Sequence, residues 1–181
     1  MRNNFYLIFK TLVNLCTLRG SPADLPYSYF WLVTLIFIET MLNIVSWARI
    51  KGAPLFEIVL ASLLMVGLLM GIIYLLLAQR KMQQRFLKVM IAWLGTEFLL
   101  ELFLKFWLII LPNAALTMEV QAGMGLTLLV WNVLIKARIF KLSMEMKMIS
   151  AILIIFGIMV ASFMPVQLIL GPYLPQLVPQ S

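Results

Sequence analysis

Four ionisable side chains, Glu39, Glu97, Glu101 and Lys105, stand inside stretches that are otherwise apolar. In hydrocarbon each would cost about 3 kcal/mol if it faced lipid alone, so each must face protein or a water-filled cavity. Glu97, Glu101 and Lys105 are spaced i, i+4, i+8. On a helix each step advances ~6 Å and turns only ~40°, which puts the three on one face. Glu101 precedes Lys105, the favourable order for an ion pair. Glu39 and Glu101 each lie about twelve residues, or ~18 Å, into their apolar segments and are expected to meet near mid-membrane. Lys105, one turn further out, is expected to bridge Glu101 and Glu39, with Asn43 joining them. Three carboxylates against one amine leave a negative excess, so one carboxyl is expected to hold a proton. Such a cluster serves either a proton or cation path or a network that locks two helices together. A single cluster beside uninterrupted helices is a thin case for transport, and locking is the leading reading.

Other chemistry is sparse. The chain has no histidine, which excludes Ser/His/Asp catalysis, and Cys16 is the sole cysteine, so no intrachain disulfide forms. No phosphate-binding glycine loop, metal-ligand spacing or nucleophile–base set is present. The expectation is a protein that is not an enzyme and carries no cofactor or metal.

The elements that position these residues follow from composition. Of 181 residues 64% are apolar, and mean hydropathy is +1.04. A soluble domain of this size could not hide that much apolar surface, so lipid is the natural solvent. The predicted fold class is all-α: a polytopic membrane bundle of about five transmembrane helices plus an N-terminal amphipathic helix. The spans are expected near residues 27–47, 55–78, 89–111, 116–135 and 148–170, each about long enough for a ~30 Å core. The chain divides into a cytoplasmic amphipathic segment (1–26), a five-span domain (27–171) and a Pro-rich external tail (172–181).

In residues 4–19, Phe5, Ile8, Phe9, Leu12, Leu15 and Cys16 recur at helical spacing while Lys10 and Asn14 fall elsewhere. That pattern predicts a helix in the headgroup region or packed on the bundle, ending at Arg19-Gly20 before Ser21-Pro22. Lys10 and Asn14 interrupt its apolar run and no small-residue cleavage site follows, so this segment is expected to be retained. Gly67 with Gly71, and Gly157 with Ala161, form small-xxx-small pairs of the kind that let helix backbones approach closely. Pro165 is expected to kink the last span.

The formal charge is +7. In a soluble chain this would suggest nucleic acid; here the basic residues sit in short segments between apolar runs, so no nucleic-acid partner is expected. Eleven of them fall on one side of the five-span arrangement: Arg2, Lys10, Arg19, Arg80, Lys81, Arg85, Lys88, Lys136, Arg138, Lys141 and Lys147. Arg49 and Lys51 fall on the other. Basic loops stay cytoplasmic, which predicts the N-terminus inside and the C-terminus outside, in a bacterial inner (plasma) membrane.

The segment Leu18-Arg19-Gly20-Ser21-Pro22-Ala23-Asp24-Leu25-Pro26-Tyr27-Ser28 leads directly into the first span. An amphipathic N-terminus, this lead-in and five spans together resemble the bacterial branch of Yip1-domain membrane proteins over nearly the whole chain. Asp24-Leu25-Pro26-Tyr27 is similar to the Asp-Leu-Tyr-Gly-Pro element of eukaryotic members, without its Gly-Pro. The resemblance implies a small helical membrane scaffold. The expected function is therefore a membrane scaffold or accessory protein acting through helix–helix contacts; the alternative is a small transporter or channel subunit using the intramembrane carboxylates and Lys105. The expected partners are the lipid bilayer and, through helix contacts, other membrane proteins or further copies of the chain.

Overall fold

The computed structural model describes residues 2–48, 50, 52–110 and 118–173. Six α-helices are present, with no strand among the described residues: α1 (Arg2–Cys16), α2 (Tyr29–Trp47), α3 (Leu55–Gln79), α4 (Phe86–Ile110), α5 (Met118–Met144) and α6 (Met148–Leu170). The fold is a helical bundle, as the sequence predicts. By length and apolar composition α2, α3, residues 122–144 of α5 and residues 148–173 can cross a membrane. α4 is as long as α3, at 25 residues, but its interior charges set it apart from these four. The expected end of the third span at Pro112-Asn113 and the start of the fourth at Leu116 lie outside the described residues, as does most of the Pro-rich tail.

Local chemistry explains the helix starts. Ser21 and Asp24 form a reciprocal capping box around the short 3-10 turn Pro22–Asp24. Ser28 caps α2, its hydroxyl accepting from the Trp31 amide. The end of α1 differs from expectation: the helix stops at Cys16, and Leu18, not Gly20, takes the left-handed conformation at φ 58°. The amides of Arg19 and Gly20 both donate to the Asn14 carbonyl, at 2.8 and 3.0 Å. Gly20 is needed for closeness, since a Cβ there would stand 3.1 Å from Asn14 Cβ.

α4 is the axis of the bundle. Val89, Met90, Ile91, Ala92, Trp93, Leu94 and Thr96 are all buried, so every side of this stretch is covered. α1, α2 and α5 pack around it, and α6 packs on α3 and α5. Buried Trp93 meets buried Phe140 of α5 edge-on, ring centroids 5.7 Å apart. Pro165 lies within α6, which nevertheless runs as one helix from Met148 to Leu170.

The two ends are tied differently. At one end the Tyr27 hydroxyl donates to the Gln84 carbonyl. Lys88 Nζ donates to the Ala23 carbonyl at 2.6 Å. Arg85 donates to the Ser143 carbonyl at 2.8 Å and pairs with Glu145 at 2.9 Å. At the other end Ile50, Ile58, Ala61, Val166 and Leu170 form an apolar cluster, and the Tyr173 hydroxyl donates to Glu57 at 3.2 Å. The helices from α2 to α6 therefore alternate in direction, and the basic connections share one end.

One sequence expectation needs correction. The fourth apolar helix continues past Ile135 to Met144, because Ile135, Ala137, Ile139, Phe140 and Met144 bury against the bundle. Lys136, Arg138 and Lys141 are thus helical and not part of a loop. α1, for its part, presents two faces. Ile8, Thr11, Leu12 and Leu15 are buried against the bundle, while Phe5, Tyr6, Phe9 and Val13 face outward. Phe5 meets Trp31 of α2 at 5.6 Å, and the Cys16 carbonyl accepts from Trp131 Nε1 of α5 at 3.0 Å. α1 is therefore a strap across three helices, with only its outer face available to lipid.

Candidate functional site: a polar cavity inside the bundle

All five long helices contribute to a cavity of ≈ 270 Å³. α2 brings Glu39 and Asn43, α4 brings Trp93, Glu97 and Glu101, and α5 brings Lys136. α3 and α6 supply Val66, Met159, Ser162 and Phe163. Helical spacing explains the convergence: Glu39 and Asn43 are one turn apart on the buried face of α2, as are Glu97 and Glu101 on α4.

The pairing differs from expectation in one decisive way. Lys136, assigned by sequence to a cytoplasmic connection, is the buried cation of the site. Its side chain is 4% exposed and its Nζ lies 2.9 Å from Glu97 Oε2. The same ammonium sits 4.4 Å from the centroid of the Trp93 ring. An ion pair and an aromatic face together compensate a charge held away from water. Glu101 and Lys105 do pair, at 3.3 Å, but Lys105 is half-exposed and no contact joins it to Glu39. Sequence reasoning missed Lys136 because a run of four basic residues reads as a loop. The signal that could have found it was the spacing of Ile135, Ile139 and Phe140 around it.

Glu39 is 5% exposed. Its Oε1 accepts from Asn43 Nδ2 at 3.4 Å, and its Oε2 is buried with no hydrogen-bond partner among the described residues. Nearby, Ser62 of α3 donates to the Thr40 carbonyl of α2 at 3.4 Å. No three carboxylate or cysteine groups converge closely enough to hold a metal ion among the described residues.

Among the described residues the glycines of the small-residue pairs make no close contact with another helix. A Cβ built at Gly67, Gly71 or Gly157 would meet nothing within 4 Å. These glycines are exposed, and Ala161 is half-buried. Among the described glycines inside helices, the one that packs is Gly95 of α4, where a Cβ would stand 2.7 Å from both methyls of Leu12.

Comparison with protein-family models, with curated proteins and with solved structures returns no match. The class of this protein therefore rests on its own helices: a helical bundle with four helices long and apolar enough to cross a membrane among the described residues.

Proposed function

We propose that this protein is a membrane scaffold or accessory protein that acts through helix–helix contacts, with α4 as a fifth, central crossing helix. One observation carries the reading. Gly67 and Gly71 form a small-xxx-small pair on the outward face of α3, and among the described residues no atom lies within 4 Å of a Cβ built at either. Exposed Leu63, Leu64, Leu68 and Leu75 flank the pair. In lipid, such a strip lets the backbone of another helix approach closely, and that packing drives association. The interior agrees with a structural role, because Glu97 and Glu101 each have a lysine partner. A Yip1-like scaffold is the form of this reading that the lead-in to α2 suggests.

The test is chemical cross-linking and co-purification in mild detergent. Gly67→Leu with Gly71→Leu is expected to lose the cross-linked partner, whether a second copy or another membrane protein, while the bundle stays folded. An unchanged set of cross-linked species in the folded variant would refute the reading.

Orientation is part of the same proposal. The end carrying Arg80, Lys81, Arg85, Lys88, Lys141 and Lys147 is placed in the cytoplasm of a bacterial inner membrane, with the end holding Glu57 and Tyr173 outside. Lys136 leaves the tally of loop charges, but the asymmetry survives without it. Single cysteines introduced at Gln84 and at Ala53, in a chain with Cys16 replaced, are expected to label from the inside and the outside respectively. A C-terminal tag reporting the cytoplasm would remove α4 from the crossing set.

A further inference from the structure

The cavity where the five long helices meet holds a feature that helix locking does not use. Three carboxylates, Glu39, Glu97 and Glu101, line it against one ammonium group, Lys136, while Lys105 pairs with Glu101 from outside the lining. Two carboxylates are matched, and the third is balanced by a proton when the site is empty or by a cation that takes the proton's place. The unmatched one is Glu39, a buried residue of the cavity lining whose Oε2 lacks a partner among the described residues. A buried acceptor of this kind is costly unless something donates to it. The cavity that Glu39 lines has a volume of ≈ 270 Å³, room for a small molecule that meets the carboxyl as it turns. The carboxylates do not converge on a point as metal ligands must. The rest of the wall is apolar and aromatic, with Trp47, Met65, Met159 and Phe163 around Glu39, Asn43 and Ser162. A few placed polar groups in an apolar wall is the usual make-up of a small-molecule site, and aromatic faces favour cations.

We infer that this cavity binds a small organic monocation, an amine whose ammonium donates to Glu39 and Asn43 while its apolar body lies against Trp47, Met159 and Phe163. Binding here is independent of whether the ligand is then carried across a bilayer, and independent of the association face on α3.

The test uses the full chain in mild detergent near neutral pH. Thermal unfolding and tryptophan fluorescence are followed against n-butylammonium, trimethylammonium and the bulkier tetrabutylammonium. Butan-1-ol is the neutral isostere, and sodium and potassium chloride at matched ionic strength are the inorganic controls. The expected result is a saturable fluorescence change and a raised unfolding midpoint with the two smaller organic cations. Tetrabutylammonium, too large for the cavity, is expected to give neither. Glu39→Gln is expected to weaken n-butylammonium about thirtyfold or more, the lower end of what removing one member of a buried charge pair costs. Ser162→Leu keeps every carboxylate and fills the cavity from α6, so it is expected to abolish the response even if Glu39→Gln does not fold. Glu57→Gln, at the far end of α3, is expected to bind as the native chain does. The inference is overturned by an equal response to butan-1-ol, by a response to sodium or potassium alone, by no response to any cation, or by undiminished binding in folded Ser162→Leu.

Discussion

Glu97→Ala is expected to be the most damaging single change inside the bundle, costing about 3 kcal/mol of stability. The residue itself is not the reason, since its side chain keeps 26% exposure; the reason is Lys136, 4% exposed and left without its carboxylate. A buried ammonium facing only the Trp93 ring retains a fraction of its compensation. The retained exposure of Glu97 sets the expectation at the low end of the range for broken buried pairs. Glu101→Ala should cost well under 1 kcal/mol, because Lys105 is half-exposed and its pair is an i,i+4 contact along one helix. The measurement is denaturation in detergent followed by circular dichroism. Adding Lys136→Met to Glu97→Ala should restore most of the loss, since methionine fills similar volume without a charge to strand. If the double variant unfolds no later than Glu97→Ala alone, the pair is not what holds α4 to α5.

How much of this was legible in the sequence differs from element to element. The apolar runs that became α2, α3 and α6 were legible because lipid-crossing helices need long uncharged stretches, and the last span was placed at the residues where α6 lies. The alignment of Glu97, Glu101 and Lys105 on one face followed from helical geometry, and the Glu101–Lys105 pair followed from it. What the sequence concealed was partnership between helices. Lys136 lies next to Arg138 and Lys141 in the chain, and charge density alone argues for a loop; only the packing of α5 against α4 turns that lysine inward. Glycines behaved the same way. Gly67 and Gly71 carry the recognisable spacing yet face outward, whereas solitary Gly95 is the one a neighbouring side chain enters. A spacing motif says that a close approach is possible, and it does not say which helix makes it.

Gly95 also gives the sharpest handle on α1. Any larger residue there must occupy the place of Leu12, whose two methyls would lie 2.7 Å from the new Cβ. Leu12 is 5% exposed, so its methyls can move aside only among packed neighbours. Gly95→Leu is therefore expected to lift α1 from α4, at an overpacking cost of about 1–3 kcal/mol. The chain carries its own reporter of this event. Cys16 is the sole cysteine, at the end of α1 where Trp131 holds its carbonyl, and burial pushes its thiol up to about 11. The thiolate is the reactive form, so at a pH below this value alkylation is slow. Freed from the groove, the thiol returns toward its ordinary value of 9.0, and the thiolate fraction rises about tenfold for each unit recovered. Labelling by a water-soluble maleimide near neutral pH is then expected to speed up by as much as about a hundredfold in Gly95→Leu. The pH profile should change in step: the native rate climbs steadily up to about 11, while the variant levels off at lower pH. Gly67→Leu, on an open face of α3, should leave Cys16 as slow as in the native chain. Equal labelling of the native chain and folded Gly95→Leu would mean that the Leu12–Gly95 contact does not seat the strap.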